Sequence, residues 1–177
     1  GNLGGALELI DQADVSGQSE FIFTNIKEAK YDTHLLTFHD YTPSVNSTQI
    51  GIQFYENGVL EDQAVYQFVY YYLDTSMAVS TDTGSNWMRL CYSSSNATGD
   101  TGAGHTFFYG LGDANTFSYG TGQHMQNPNN TSYRTVFGSH CLPQASVVNK
   151  INKVINASDI DSIVMTSAFS PLRFVWD

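Results

Sequence analysis

The residues of this chain that could combine into a nucleophile or a metal site are its five histidines, two cysteines and scattered carboxylates. His140 stands beside Cys141, and with His105 from a separate stretch they supply the raw material of a thiolate nucleophile or a zinc site. Neither spacing nor a surrounding motif joins the three. His34 and His39 lie five apart in an extended run, which puts them on opposite faces and prevents them from sharing one ion. Glu56, Glu61 and Asp62 cluster near a turn without the fixed pair separation that glycoside hydrolysis needs. Asp82, Asp100 and Asp113 are read as lying in Gly-rich loops, where their oxygens could coordinate calcium, but they lack the regular spacing of a calcium loop. Gly110-Leu-Gly112 and Gly120-Thr-Gly122 have no following helix to cradle a phosphate. The expectation is a protein that is not an enzyme, with no catalytic or metal-ligating residues and no cofactor.

Aromatic recognition is the remaining chemistry. Trp87, Phe117 and Tyr119, with His124 further along the same Gly/Asn-rich stretch, have side chains that stack on sugar rings or fill a partner's pocket, although packing in the core or at an interface is the commoner use of such rings. Five acceptor patterns for Asn-linked glycans begin at Asn46, Asn96, Asn129, Asn130 and Asn156. They matter only on a eukaryotic secretory route and are read as a product of Asn/Ser/Thr-rich composition.

The elements that must position these side chains are strands. From Glu20 to Tyr55, three runs alternate: Phe21 and Phe23, Leu36 and Phe38, then Ile50, Ile52 and Phe54 each fall on one face. They read as three strands of one sheet, whose apolar face requires a second layer. Asn57-Gly58 marks a hairpin turn. Val65 to Leu73, VYQFVYYYL, is apolar or aromatic at nearly every position and is expected to be a strand covered on both faces, with helix as the alternative. Further strands are expected at Ala6–Ile10, Asn86–Tyr92, His105–Leu111, Ser132–Ser139, Val147–Ile155 (or a short helix), Ile160–Met165 and Leu172–Trp176. Ser93–Gly104 and Gly112–Asn130 read as long loops. Eight to ten short strands make an all-β, antiparallel two-sheet sandwich, jelly-roll-like, with long Gly/Asn/Ser-rich loops.

A length of 177 residues fits one domain. Residues 1–5 are expected to be a flexible lead-in and residues 6–177 a single β-sandwich domain. Tyr and Phe number eleven each, whereas Lys and Arg together number seven, a balance that suits pleated strands. A net charge of −10 argues against nucleic acid, whose non-specific affinity comes from clustered cations. No apolar run is long enough to span a bilayer and the N-terminus lacks a signal-peptide pattern, so a soluble chain without membrane insertion is expected. Cys91 and Cys141 are too few for a disulfide framework, and free thiols are favoured.

The stretches SEFIFTNI (Ser19–Ile26), YDTHLLTF (Tyr31–Phe38) and QIGIQFY (Gln49–Tyr55), with a Pro43-containing loop between the last two, resemble a family of sandwich domains in virion proteins of tailed bacteriophages, variously tail fibre, head decoration or structural protein. The likeness continues at NPNNTSYRTVFG (Asn127–Gly138) and at IDSIVMTS (Ile160–Ser167). It departs at the end, where that family closes with a strand near a Tyr-Gly pair and this chain ends Phe174-Val-Trp-Asp177; an edge strand left there would need a neighbour. The resemblance implies a structural role at the virion surface, after assembly in the host cytoplasm, in capsid decoration, stabilisation or host attachment. It implies as partners other copies of the chain, as a trimer, and other virion proteins. The alternative is a carbohydrate-binding, lectin-like module that reads a host surface glycan through Trp87, Phe117, Tyr119 and His124.

Overall fold

The computed structural model describes residues 7–15, 20–46, 48–73, 77–98, 100–126, 134–145, 148–155 and 158–167. Among them the chain is strand and turn, with no helix. Thirteen strands follow in order: β1 (Glu8–Val15), β2 (Glu20–Phe23), β3 (Thr33–Pro43), β4 (Thr48–Glu56), β5 (Val59–Leu60), β6 (Tyr66–Leu73), β7 (Ala78–Ser85), β8 (Met88–Ser94), β9 (Gly102–Tyr109), β10 (Phe117–Gln126), β11 (Arg134–Ala145), β12 (Val148–Ile155) and β13 (Ser158–Ser167). The expected lead-in and the expected strand at Leu172–Trp176 lie outside the described residues.

The strands form two antiparallel sheets, a large one in the order β1-β13-β3-β9-β10-β11-β6-β7 and a small one in the order β2-β12-β4-β5, with β8 also on β4. Four pairs nest inside one another: β1 with β13, β2 with β12, β3 with β9, and β4 with β8. The second half of the chain thus retraces the first across two layers. The insertions β6–β7 and β10–β11 extend the large sheet beyond β9.

The core lies where the layers face each other. Phe23, Ile50, Ile52, Phe54, Met88 and Leu90 of the small sheet pack against Leu36, Phe38, Tyr41, Phe108 and Leu142 of the large one, all essentially buried. Phe54 joins the layers through edge-on contacts, with its ring centroid 5.5 Å from Phe108 and 6.3 Å from Tyr66. Burying such rings stabilises the fold by roughly 1.5–3 kcal/mol each. The buried Tyr66 hydroxyl accepts from Phe54 N at 2.8 Å and donates to Glu61 O at 2.8 Å, so the end of β4 and the loop before β6 are tied by one side chain.

Several sequence expectations need correction. Phe23, Leu36, Phe38, Ile50, Ile52 and Phe54 do face the core, but β3 belongs to the large sheet while β2 and β4 belong to the small one. Alternation fixes which face a residue takes and says nothing about which layer its strand joins. β6 is a strand, yet only its even positions are buried; its odd positions are exposed. Gly112–Asn130 is largely strand, because Ser118, Gly120 and Gly122 are small residues at inward positions of β10 and give no apolar alternation to read. Ser93–Gly104 is shorter as a loop than expected, because its ends belong to β8 and β9 and only residues 95–101 lie between those strands. β7, Ala78–Ser85, is an additional strand that polar composition concealed.

Two local devices aim the strands. Asp40 has φ of 52° and sits where the β3–β9 register shifts between Phe38 and Tyr41. That irregularity reverses the side-chain parity, so Tyr41 turns inward after His39 has pointed out. At the β4–β5 turn, Asn57 and Gly58 have φ of 49° and 87°, as the turn chemistry anticipated.

Candidate functional site

The four aromatic candidates do not meet. Phe117 and Tyr119 lie two apart on β10, so both point to the outer face of the large sheet, their ring centroids 6.5 Å apart and tilted by 50°. His124, an even-numbered residue on the same strand, points the other way; it is buried and packs edge-on against Tyr70 at 6.3 Å. Trp87 sits just before β8 on the small sheet. Its half-buried indole lies across Gly51 of β4, where any Cβ would fall inside the ring. Ser85 Oγ donates to Trp87 O at 2.8 Å, and Gln53 Nε2 donates to Asn86 O at 2.9 Å, which holds that corner in place.

Nor do the other candidate sets converge. His105 on β9 stands opposite Gln123 of β10, while Cys141 on β11 stands opposite Tyr119, four residues along that strand, so the two are about 13 Å apart along the strands and two strand spacings, about 10 Å, across them. The side chains of His140, Cys141 and Cys91 lie outside the described residues. His34 and His39 take opposite faces as expected: His34 is buried and His39 is exposed beside Asp40 at 2.9 Å. Asp82, expected in a loop, lies in β7, where its Oδ1 accepts from Gly84 N at 2.9 Å; Asp113 Oδ1 accepts from Asn115 N at 2.8 Å and closes its own turn, so each carboxylate is taken up by a backbone N–H two residues on. The Asn115 contact holds the Asp113 carboxyl below its ordinary value. No group of three or more potential metal ligands occurs among the described residues.

One charged cluster does assemble. The Glu8 carboxylate of β1 accepts from Lys27 Nζ at 2.5 Å, from Lys30 Nζ at 2.6 Å and from the Tyr31 hydroxyl. The two ammonium groups and the phenol bring its pKa down to about 2, and the Glu8 contact raises that of Lys30. The Lys27–Tyr31 turn, closed by Lys30 N donating to Lys27 O at 2.9 Å, presents all three donors to β1. The cluster fastens an edge strand. A carboxylate held ionised, as Glu8 is, and an ammonium held protonated, as that of Lys30 is, are poor proton-transfer groups near neutrality.

The surface that the fold does build is the outer face of the large sheet. Val69, Tyr71 and Leu73 on β6, Tyr109 on β9, Phe117, Tyr119 and Met125 on β10, and Val79 on β7 are all exposed. The register puts Tyr119 beside Tyr109 and sets Thr121, Phe107 and Leu35 in one row across β10, β9 and β3. His105, half-buried, stacks edge-on against Phe107 at 5.9 Å. Across β6, β11, β10, β9 and β3 as far as Thr37, no outward register position is Asp, Glu, Lys or Arg. The chain as a whole is 14% charged, and this face carries none of that charge, so it is set apart by its lack of charge as well as by its rings.

Reading single residues found Phe117 and Tyr119 but missed Tyr71, Val69, Leu73, Tyr109 and Met125. The signal was the absence of charge. Val65–Leu73, Thr101–Gly112 and Ala114–Tyr133 contain no Asp, Glu, Lys or Arg, and these segments supply three of the strands of the face. No family model matches the chain, and no curated protein matches it.

Proposed function

We propose that this chain is a non-enzymatic structural domain of a bacteriophage virion, a surface appendage acting in capsid decoration or in a tail fibre. The observation that carries the reading is the uncharged, aromatic outer face of the large sheet. Contiguous exposed apolar patches of that breadth are uncommon on isolated proteins and mark contact surfaces, and interface centres are depleted in charge and enriched in Tyr, Phe and Met. The stretches that carry the resemblance to phage virion domains coincide with β2, β3 and β4, which build both layers. We read the nested pairing as the jelly-roll arrangement that this resemblance implies. In this reading the domain works beside other copies of itself in a symmetric assembly at the virion surface.

Cryo-electron microscopy of the particle carrying this chain tests the reading. Density for the domain over the shell or along the tail is the expected result, and absence of the chain from the particle would refute it.

Phe117, Tyr119 and the neighbouring Tyr109 favour a second reading, a glycan-binding platform in host attachment, because three exposed rings on adjacent strands offer stacking faces. Glycan-array binding that is lost in Tyr119→Ala would support it, and an array with no signal would remove it.

A further inference from the structure

We infer that the occupant of the uncharged outer face is a second copy of this chain, packed sheet against sheet. The inference rests on the reading of that face as a protein contact surface and adds the identity of the partner.

Charge argues for a copy. The chain carries seventeen acidic and seven basic residues, a net charge of −10, so two copies repel one another wherever their carboxylates face. The outer positions of β6, β11, β10, β9 and β3 as far as Thr37 carry none of these charges. There two like-charged molecules can meet without burying an unpaired ion. A basic partner would instead be met by a face lined with carboxylates. The polar residues present, Thr121, Gln123 and the tyrosine hydroxyls, both donate and accept hydrogen bonds. An identical surface therefore satisfies them, as a self-complementary contact requires.

Size agrees. Five strands about 4.8 Å apart, each covered over about seven residues of about 3.3 Å, make a patch on the order of 550 Å². Two patches in contact bury on the order of 1,100 Å², above the roughly 1,000 Å² expected of a specific interface.

Sedimentation velocity of the full chain over a concentration series, with Tyr71→Glu, Tyr119→Glu and Val59→Glu, tests the inference. Tyr71 and Tyr119 are exposed on the face, while Val59 is exposed on β5 of the other sheet. The expected result is a wild-type dimer, at twice 19.5 kDa, as the concentration rises. Each face variant should weaken that assembly by at least about tenfold, since one buried unpaired charge costs more than the ~1.4 kcal/mol of a decade. Val59→Glu should assemble as wild type, and circular dichroism should report unchanged strand content in all three variants. A wild-type chain that stays at 19.5 kDa at every concentration, or face variants that assemble like wild type, would overturn it. The structural reading would then still stand or fall on whether the particle contains the chain.

Discussion

The two faces of β6 use the same residue type for opposite purposes. Tyr66, Phe68, Tyr70 and Tyr72 point inward and are buried, while Val69, Tyr71 and Leu73 point outward into solvent. Tyr66 is held by two hydrogen bonds and an edge-on ring, and the Tyr70 ring lies across Gly138 of β11 so closely that a Cβ there would collide with it. The isolated fold does not hold Tyr71 in that way: more than half its surface, 56%, remains accessible. Inward rings are justified by folding. Outward ones cost solubility in a monomer, a cost that the proposed contact between copies would offset.

That contrast is broken most severely from the inside. Phe108→Ala removes a fully buried ring that bridges the sheets through Phe54, and a loss of about 3–5 kcal/mol is expected in denaturant unfolding. Tyr66→Phe keeps the ring but strips the partner from the buried Phe54 N–H; about 1–3 kcal/mol should be lost by the same measurement. Tyr71→Ser, on the outer face of the same strand, should change unfolding of the dilute chain by no more than about 0.5 kcal/mol. A large loss there would mean that the outer face belongs to the fold.

Acid sharpens the comparison along β3. Burial lowers the pKa of inward His34 below the ordinary histidine value, partly offset by its hydrogen bond to Ile26 O at 2.8 Å and by the charges of Glu28 and Asp32. The unfolded chain then takes up the proton first. Stability should hold above the unfolded value of about 6.5 and decline as pH falls from there towards the folded value. His34→Gln should flatten that part of a pH-dependent denaturation series. An unchanged slope would place the titrating group elsewhere.

The inward half of the fold was legible because burial selects by side-chain size at alternate positions. Leu36, Phe38, Ile50, Ile52 and Phe54 announced their faces, and Asn57-Gly58 announced its turn. Layer membership was not legible, since β2, β3 and β4 carry the same period while alternating between sheets. β10 was hidden because small residues stand at its inward positions, where other strands carry apolar ones; β6 was read as a strand, but the exposure of its outer face was not, because that face is as apolar as the inward one. Among the candidate site residues, strand parity alone separates His124 from Phe117 and Tyr119. Once β10 is recognised as a strand, that separation follows from the numbering.

The most direct measurement is chemical labelling of tyrosines, read by mass spectrometry, on the same chain at low and high concentration. The account predicts that Tyr66 and Tyr70 resist labelling at both, while Tyr71, Tyr109 and Tyr119 react when dilute and become protected together as copies associate. Equal reactivity of those three outer tyrosines at every concentration would contradict it.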